Sequence, residues 1–355
     1  MGGLNPGLRC THRGRCPGVA TSAPVDLLAV QLAGRDAGRA QSGLEAGQHC
    51  GGAAPEHGQW SGRQLANPSV TTPAPPGSGR VHRVPPVVWF FLLTYALSWG
   101  WLLPIAVTGG VVVAGRGWPT HFPALLGPLF AACAVTIWHD GRRGLVDLVR
   151  RMSRLRARAR WWLFAVSPLV ILVMVLIIDA ATGRPLPAYG GFAVFSGLPS
   201  RWGVLGVAAG VLLVNGFGEE TGWRGYALPA LQRHRSPLVA TIIVSGFWAV
   251  WHGPMFVVVN AFRSFNLPIL SGWIIGLMSG AIVLTWLYNR SGGCILLVAV
   301  WHATYNLISG TAAAHGLLAA ASTTLVIALA LTLVVLEIRA IRAGRRSVLG
   351  PATEI

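Results

Sequence analysis

Two adjacent carboxylates, Glu219 and Glu220, directly follow an apolar stretch at residues 204–217. If that stretch is a helix that continues through them, Glu220 and Arg224 lie one turn apart and their side chains meet on one face. Glu219 points about 100° away around the same helix and has no cation within it. A carboxylate left unpaired in an apolar setting is suited to act as a general base near neutral pH. A charged cluster at a membrane surface is the alternative interpretation.

Two histidines interrupt other apolar stretches. His252 follows the segment 247–251, and His302 lies one helical turn before Asn306. Ionisable residues inside membrane-spanning segments are energetically costly and are functional candidates by default. Because separate segments supply a spare carboxylate, two imidazoles and an amide, we predict one shared functional site formed by Glu219, His252, His302 and Asn306.

The other ionisable side chains of the apolar region are expected to be ordinary. Asp179 and Glu337 lie at the edges of apolar stretches, where water among the lipid headgroups can reach them. No role is predicted for the remaining histidines of this region, which are His121, His139, His234 and His315.

The composition excludes an ordinary soluble domain. Of the 355 residues, 53% are hydrophobic and 11% are charged, whereas a soluble domain has about 25% charged residues. The net charge of +17 comes with Arg as the basic residue throughout. We expect the Arg-rich stretch 142–160 to be a loop that contacts anionic lipid headgroups. It lacks interleaved aromatic residues for base stacking, so no nucleic-acid partner is predicted.

The apolar stretches predict an all-α fold, a polytopic membrane helix bundle of about eight transmembrane helices. Most Arg residues then fall on one side, which places both termini in the cytoplasm of a multi-pass protein of the cell membrane. The lipid bilayer is therefore a predicted partner. The predicted spans are 87–108, 121–138, 161–178, 203–217, 238–259, 270–288, 294–309 and 317–336.

Three regions are predicted along the chain. Residues 1–80 are rich in Gly, Pro and Arg and are expected to be a disordered extension or the result of a wrongly chosen start codon. Residues 81–345 form the transmembrane domain, with a motif core at 200–310, and residues 346–355 form a cytoplasmic tail.

The motifs resemble those of the CPBP intramembrane proteases. The matching patterns are Glu219-Glu220-x-x-x-Arg224, an aromatic residue four positions before His252, and His302-x-x-x-Asn306. This family includes the type II CAAX prenyl endopeptidases and bacterial proteins linked to bacteriocin immunity, and the composition favours a bacterial member. The second motif usually begins with Phe, whereas this chain has Trp248 preceded by Phe247.

The resemblance implies an intramembrane endopeptidase that cleaves a peptide or membrane-protein substrate near the cytosolic membrane face. Glu219, assisted by His252, would activate a water molecule for attack on a peptide carbonyl. His302 and Asn306 would donate hydrogen bonds to the developing oxyanion. The residues expected to support the site structurally are Glu220, Arg224 and Trp248.

Several alternatives remain open at this stage. Glu219, His252 and His302 could instead be three ligands of a zinc ion, although the HExxH pattern is absent and we favour a metal-free site without a cofactor. A proton-coupled transporter and a non-catalytic scaffold or immunity protein are the other functional classes. Depth is a further difficulty, because the predicted spans place Glu219 roughly 6 Å and His252 roughly 21 Å from the inner boundary.

Overall fold

A computed structural model describes residues 84–351, and the predicted extension at residues 1–80 lies outside this range. Within residues 84–351 all regular structure is helical, apart from a few isolated bridge pairs such as Val112 with Val259. The all-α prediction is therefore confirmed. The helices are α1 (Pro86–Val107), α2 (Phe122–Leu125), α3 (Gly127–Met152), α4 (Ala159–Ala165), α5 (Ser167–Ala181), α6 (Ser200–Gln232), α7 (Pro237–Trp251), α8 (Met255–Val258), α9 (Asn260–Arg263), α10 (Leu267–Arg290), α11 (Ile295–Ser309) and α12 (Gly316–Arg342).

By length and hydropathy, six spans among the described residues can cross a membrane. Helices α4 and α5 together make a seventh if their 55° bend lies within one span, and α11 is an apolar helix of only 15 residues. A multi-pass membrane protein is thus supported, but the predicted number of eight spans is not confirmed. The six spans are Pro86–Val107, Phe122–Met152, Ser200–Gln232, Pro237–Val258, Leu267–Arg290 and Gly316–Arg342.

Helix α6 removes the depth conflict of the sequence prediction. It does not end at residue 217 but runs on to Gln232, through π-helical segments at Leu212–Glu219 and Trp223–Ala227. At 1.5 Å per residue, Glu219 lies roughly 20 Å from the Gln232 end of α6. His252 lies roughly 22 Å from Pro237, where α7 begins on the same side. The two side chains therefore reach similar depths without a strong tilt.

The predicted loop at 142–160 is helical in its first part. Helix α3 continues to Met152 after a break at Gly141, which has φ 65° and ψ −161°. Arg151 pairs with Asp147 at 2.9 Å and donates to the carbonyl of Gly225 at 2.8 Å. The basic segment is therefore attached to the motif-bearing helix α6, because one guanidinium bridges α3 and α6.

The expectation that Asp179 and Glu337 reach headgroup water is wrong, since protein atoms bury both side chains. Glu337 is 0% exposed, and its carboxylate accepts from the Ser347 hydroxyl and from the backbone N–H groups of Val348 and Leu349. The chain after α12 therefore folds back, and its first residues pack against the bundle.

Close helix packing explains why α6 contains glycine within its motif. A Cβ atom at Gly222 would lie 2.7 Å from the carbonyl oxygen of Pro128 in α3 and closer still to the Pro128 Cβ atom. At Gly216 it would lie 2.8 Å from the carbonyl oxygen of Ala299 in α11. Because backbone atoms block both positions, α6 can approach its neighbours only without these side chains.

We expect Gly222→Ala to lower the free energy of unfolding by about 1–3 kcal/mol, because the methyl group overpacks the contact between α6 and α3. Thermal unfolding in detergent measures this loss. Gly246→Ala is the matched control, since a Cβ atom there meets no atom within 4 Å. Helix propensity should leave that variant neutral or up to about 1 kcal/mol more stable. Equal unfolding temperatures for both variants would contradict the packing explanation.

Candidate active site

Glu220 is the centre of a buried ion cluster. Its Oε1 atom accepts from Nη1 of Arg224 at 2.9 Å and lies 2.8 Å from Nδ1 of His302. Glu220 is 0% and Arg224 1% exposed. The i, i+4 spacing in α6 brings the first pair together, and packing of α11 against α6 adds the imidazole. One carboxylate thus connects the first and third motifs.

Glu219 is held by two donors of a different kind. The indole Nε1 of Trp248 donates to its Oε2 at 2.8 Å, and Nδ2 of Asn215 donates to its Oε1 at 3.4 Å. The side chain is 2% exposed and forms no ion pair within the described residues. The prediction that Glu219 lacks a cation within its helix therefore agrees with the geometry.

Asn215 did not emerge from the sequence reasoning. It lies four residues before Glu219, so a search for polar side chains on the same helix face could have found it. Its Oδ1 atom is buried and has no hydrogen-bond partner in residues 84–351. Asn215 therefore belongs to the polar surroundings of Glu219.

His252 lies at the end of α7 among aromatic rings. Its Nδ1 atom is 2.7 Å from the backbone carbonyl of Trp248. Since a carbonyl oxygen only accepts, Nδ1 carries the proton and Nε2 of the neutral ring is left as an acceptor. The rings of Trp251 and Trp273 stand edge-on to the imidazole, with centroids 4.9 and 5.0 Å away.

The predicted residues are grouped, although not all of them touch. Glu219 and His252 are joined through Trp248, which bonds to both, and His302 is bound to Glu220 beside them. Asn306 follows one turn after His302 in α11, and its side chain makes no hydrogen bond within the part of the chain that the structure covers. Three distant segments therefore converge as predicted, while the roles of these residues stay predictions.

The arrangement does not fit the zinc alternative. Within residues 84–351 no three His, Cys, Asp or Glu side chains are grouped so that they could hold a metal ion. His302 directs Nδ1 at Glu220, and Glu219 is engaged by Trp248 and Asn215 instead. The metal-free site stays a prediction.

His121, which was expected to be ordinary, is buried beside the site. It is 6% exposed, and its Nδ1 atom has no hydrogen-bond partner among the described residues. The preceding Thr120 fixes this turn, because its hydroxyl donates to the carbonyl of Gly197 at 2.7 Å. His252 interacts electrostatically with His121. Burial lowers the pKa of His121 to about 4.

This burial predicts acid lability. The folded-state pKa of His121 is about 4 and the unfolded value is 6.5, so stability is complete above pH 6.5 and declines as the pH falls toward 4. The loss amounts to about 3 kcal/mol at most. His121→Leu should remove this part of the pH dependence of thermal unfolding, whereas His139→Leu should leave it unchanged because the His139 side chain is 49% exposed. An unchanged pH profile in His121→Leu would refute the assignment.

The helices and this site define a multi-pass membrane protein with a buried cluster of glutamate, tryptophan and histidine. Residues 201–308 match the family described as type II CAAX prenyl endopeptidase Rce1-like. The chain is also 25% identical, over 224 residues, to CAAX prenyl protease 2 of Methanococcus maripaludis. That alignment covers 61% of this chain and 80% of the relative.

These similarities confirm the resemblance predicted from the three motifs, since the matched region contains all of them. They support a protease of the membrane as the class of protein. The expectation of a bacterial member is not supported, because this relative comes from an archaeon.

Proposed function

We propose that this protein is an intramembrane endopeptidase that hydrolyses a peptide bond with a water molecule activated by Glu219. The observation that carries this proposal is the environment of the Glu219 side chain. Its carboxylate is buried and forms no ion pair within the described residues. It interacts electrostatically with the His302 imidazole and is connected to His252 through Trp248. The match to an endopeptidase family over the same residues supports it.

In the proposed reaction, Glu219 takes a proton from water while the water oxygen forms a bond to the peptide carbonyl carbon. Nε2 of His252 accepts the second hydrogen bond of this water, because its Nδ1 proton is directed at the Trp248 carbonyl. The tetrahedral intermediate then collapses, the C–N bond breaks, and the proton held by Glu219 passes to the leaving amine. Positioned proton transfer of this kind contributes about 10²–10⁴-fold to a rate.

His302 and Asn306 are the proposed donors to the oxyanion. Since Nδ1 of His302 faces Glu220, its Nε2 can donate only when the ring is an imidazolium. In that state the two carboxylates and two cations of the cluster sum to zero net charge, which suits a buried site. One such donor is worth about 3–4 kcal/mol in the transition state.

The substrate class that we propose is a peptide or a membrane protein. The archaeal relative is named a CAAX prenyl protease. A direct test is to present the purified protein with two peptides of one sequence, of which one carries a prenyl group on its C-terminal cysteine motif. Equal cleavage of both peptides would show that the prenyl group is not recognised.

The test of the reaction type uses water labelled with ¹⁸O. Hydrolysis by free water should place the label in the newly formed carboxylate, as measured by mass spectrometry of the products. We expect cleavage to persist after treatment with a chelator. Loss of activity that zinc restores would overturn the metal-free mechanism, and proton flux into liposomes without any cleavage would favour a transporter.

A further inference from the structure

Trp248 contacts charged or titratable side chains of all three motifs. Its indole N–H donates to Oε2 of Glu219 at 2.8 Å. The guanidinium carbon of Arg224 lies 4.5 Å from the centre of its ring, and the ring of His302 meets it edge-on at 5.6 Å. The side chain is buried, so these contacts occur away from bulk water. One indole therefore lies between Glu219, Arg224 and His302.

The same residue also acts through its backbone. The Trp248 carbonyl accepts from Nδ1 of His252 at 2.7 Å, which sets the tautomer of that ring. Any residue at this position could supply the carbonyl. Only the indole supplies the N–H that reaches Glu219, because a phenyl ring in its place would keep the packing and lose the donor.

The plane of a glutamate carboxylate has to be fixed by hydrogen-bond donors from other residues. The terminal torsion of Glu is broad, so the plane of the carboxylate is not set by its rotamer. Two donors on different oxygens restrict this plane, with Trp248 on Oε2 and Asn215 on Oε1. Both donors bind the same carboxylate, and the bond from Trp248 is the shorter one, at 2.8 Å against 3.4 Å for Asn215. The orientation of Glu219 therefore depends chiefly on the indole.

We propose that Trp248 is a positioning residue that fixes the carboxylate plane of Glu219 toward the attacking water through its indole N–H. This inference rests on the proposed function, in which Glu219 is the general base. A misplacement of about 1 Å in a reacting group can cost about 10²-fold in rate.

Trp248→Phe tests the proposal, because it removes the N–H and retains an aromatic ring. We expect kcat for peptide cleavage to fall about 10- to 100-fold, while KM changes less than about threefold. The unfolding temperature reports whether packing has been lost as well.

Trp223→Phe is the matched control. Trp223 is also fully buried, and its Nε1 atom has no hydrogen-bond partner in the described part of the chain. Removing that N–H should leave kcat within about twofold of the wild type. Equal losses in the two variants, or full activity in Trp248→Phe, would overturn the positioning role.

A second measurement does not depend on cleavage. In ¹⁵N-indole spectra of the labelled protein, Glu219→Ala should shift the signal of Trp248 and leave that of Trp223 in place. If Glu219→Ala shifts the Trp248 signal but the wild-type protein cleaves no peptide, the contact stands and the proposed function is rejected. Conversely, if Glu219→Gln is inactive and Trp248→Phe is fully active, the proposed function stands and the positioning role is wrong.

Discussion

Glu219→Gln should lower kcat for peptide cleavage by about 10²–10⁴-fold, because the amide cannot take a proton from water. Glutamine has nearly the same shape as glutamate. In the wild type the Trp248 indole donates to Oε2 of Glu219 at 2.8 Å, and the glutamine carbonyl oxygen can still accept this bond. KM and the unfolding temperature should therefore change little. Single-turnover cleavage in detergent separates the chemical step from binding.

Asp140→Asn is the matched control for this charge removal. Asp140 is an exposed carboxylate in α3 that pairs only locally, with the neighbouring His139 at 2.7 Å. Its loss should leave kcat unchanged. Full cleavage activity in Glu219→Gln would reject Glu219 as the general base. Absence of cleavage by the wild-type protein would instead favour the scaffold and transporter alternatives.

Arg224→Met should lower the free energy of unfolding by about 3–5 kcal/mol, the cost of leaving a buried carboxylate without its cation. Glu220 and Arg224 form this pair at 2.9 Å and are almost completely inaccessible to solvent. His302 remains bound to Glu220 and compensates only in part, since it must then balance that charge alone. The measurement is thermal unfolding of the purified protein, compared with the wild type in the same detergent.

The double variant Glu220→Gln with Arg224→Met separates charge from packing. It removes the unpaired charge, so at least about half of the lost stability should return. Cleavage should stay low, because His302 has then lost the carboxylate that orients it. If the double variant is no more stable than Arg224→Met, lost packing rather than an unpaired charge causes the damage.

Much of the fold could be predicted from local patterns. Apolar stretches of about 20 residues predict membrane helices because the bilayer sets their length, and the helical class is confirmed. The number of spans is harder to predict, since α4 and α5 are bent by 55° at their junction and α11 is short. Hydropathy indicates the length of an apolar stretch. Bends and breaks depend on whether neighbouring helices can satisfy the backbone polar groups that a bend exposes.

Residue types and spacing alone single out Glu219, Glu220, His252 and His302, because costly polar groups in apolar segments are visible without coordinates. The i, i+4 spacing also predicts the contact of Glu220 with Arg224, which the structure contains. Their catalytic roles remain predictions that the variants above test.

Only the tertiary structure shows which helices share a depth and which side chains meet across them. The indole of Trp248 reaches Glu219 from a different helix, His121 is buried by a distant turn, and Glu337 is capped by the chain after α12. The sequence of a segment shows which reactive side chains it carries and the periodicity of its apolar residues. Contacts between segments tens of residues apart are decided by close packing, such as the approach of α6 to Pro128 that a glycine permits.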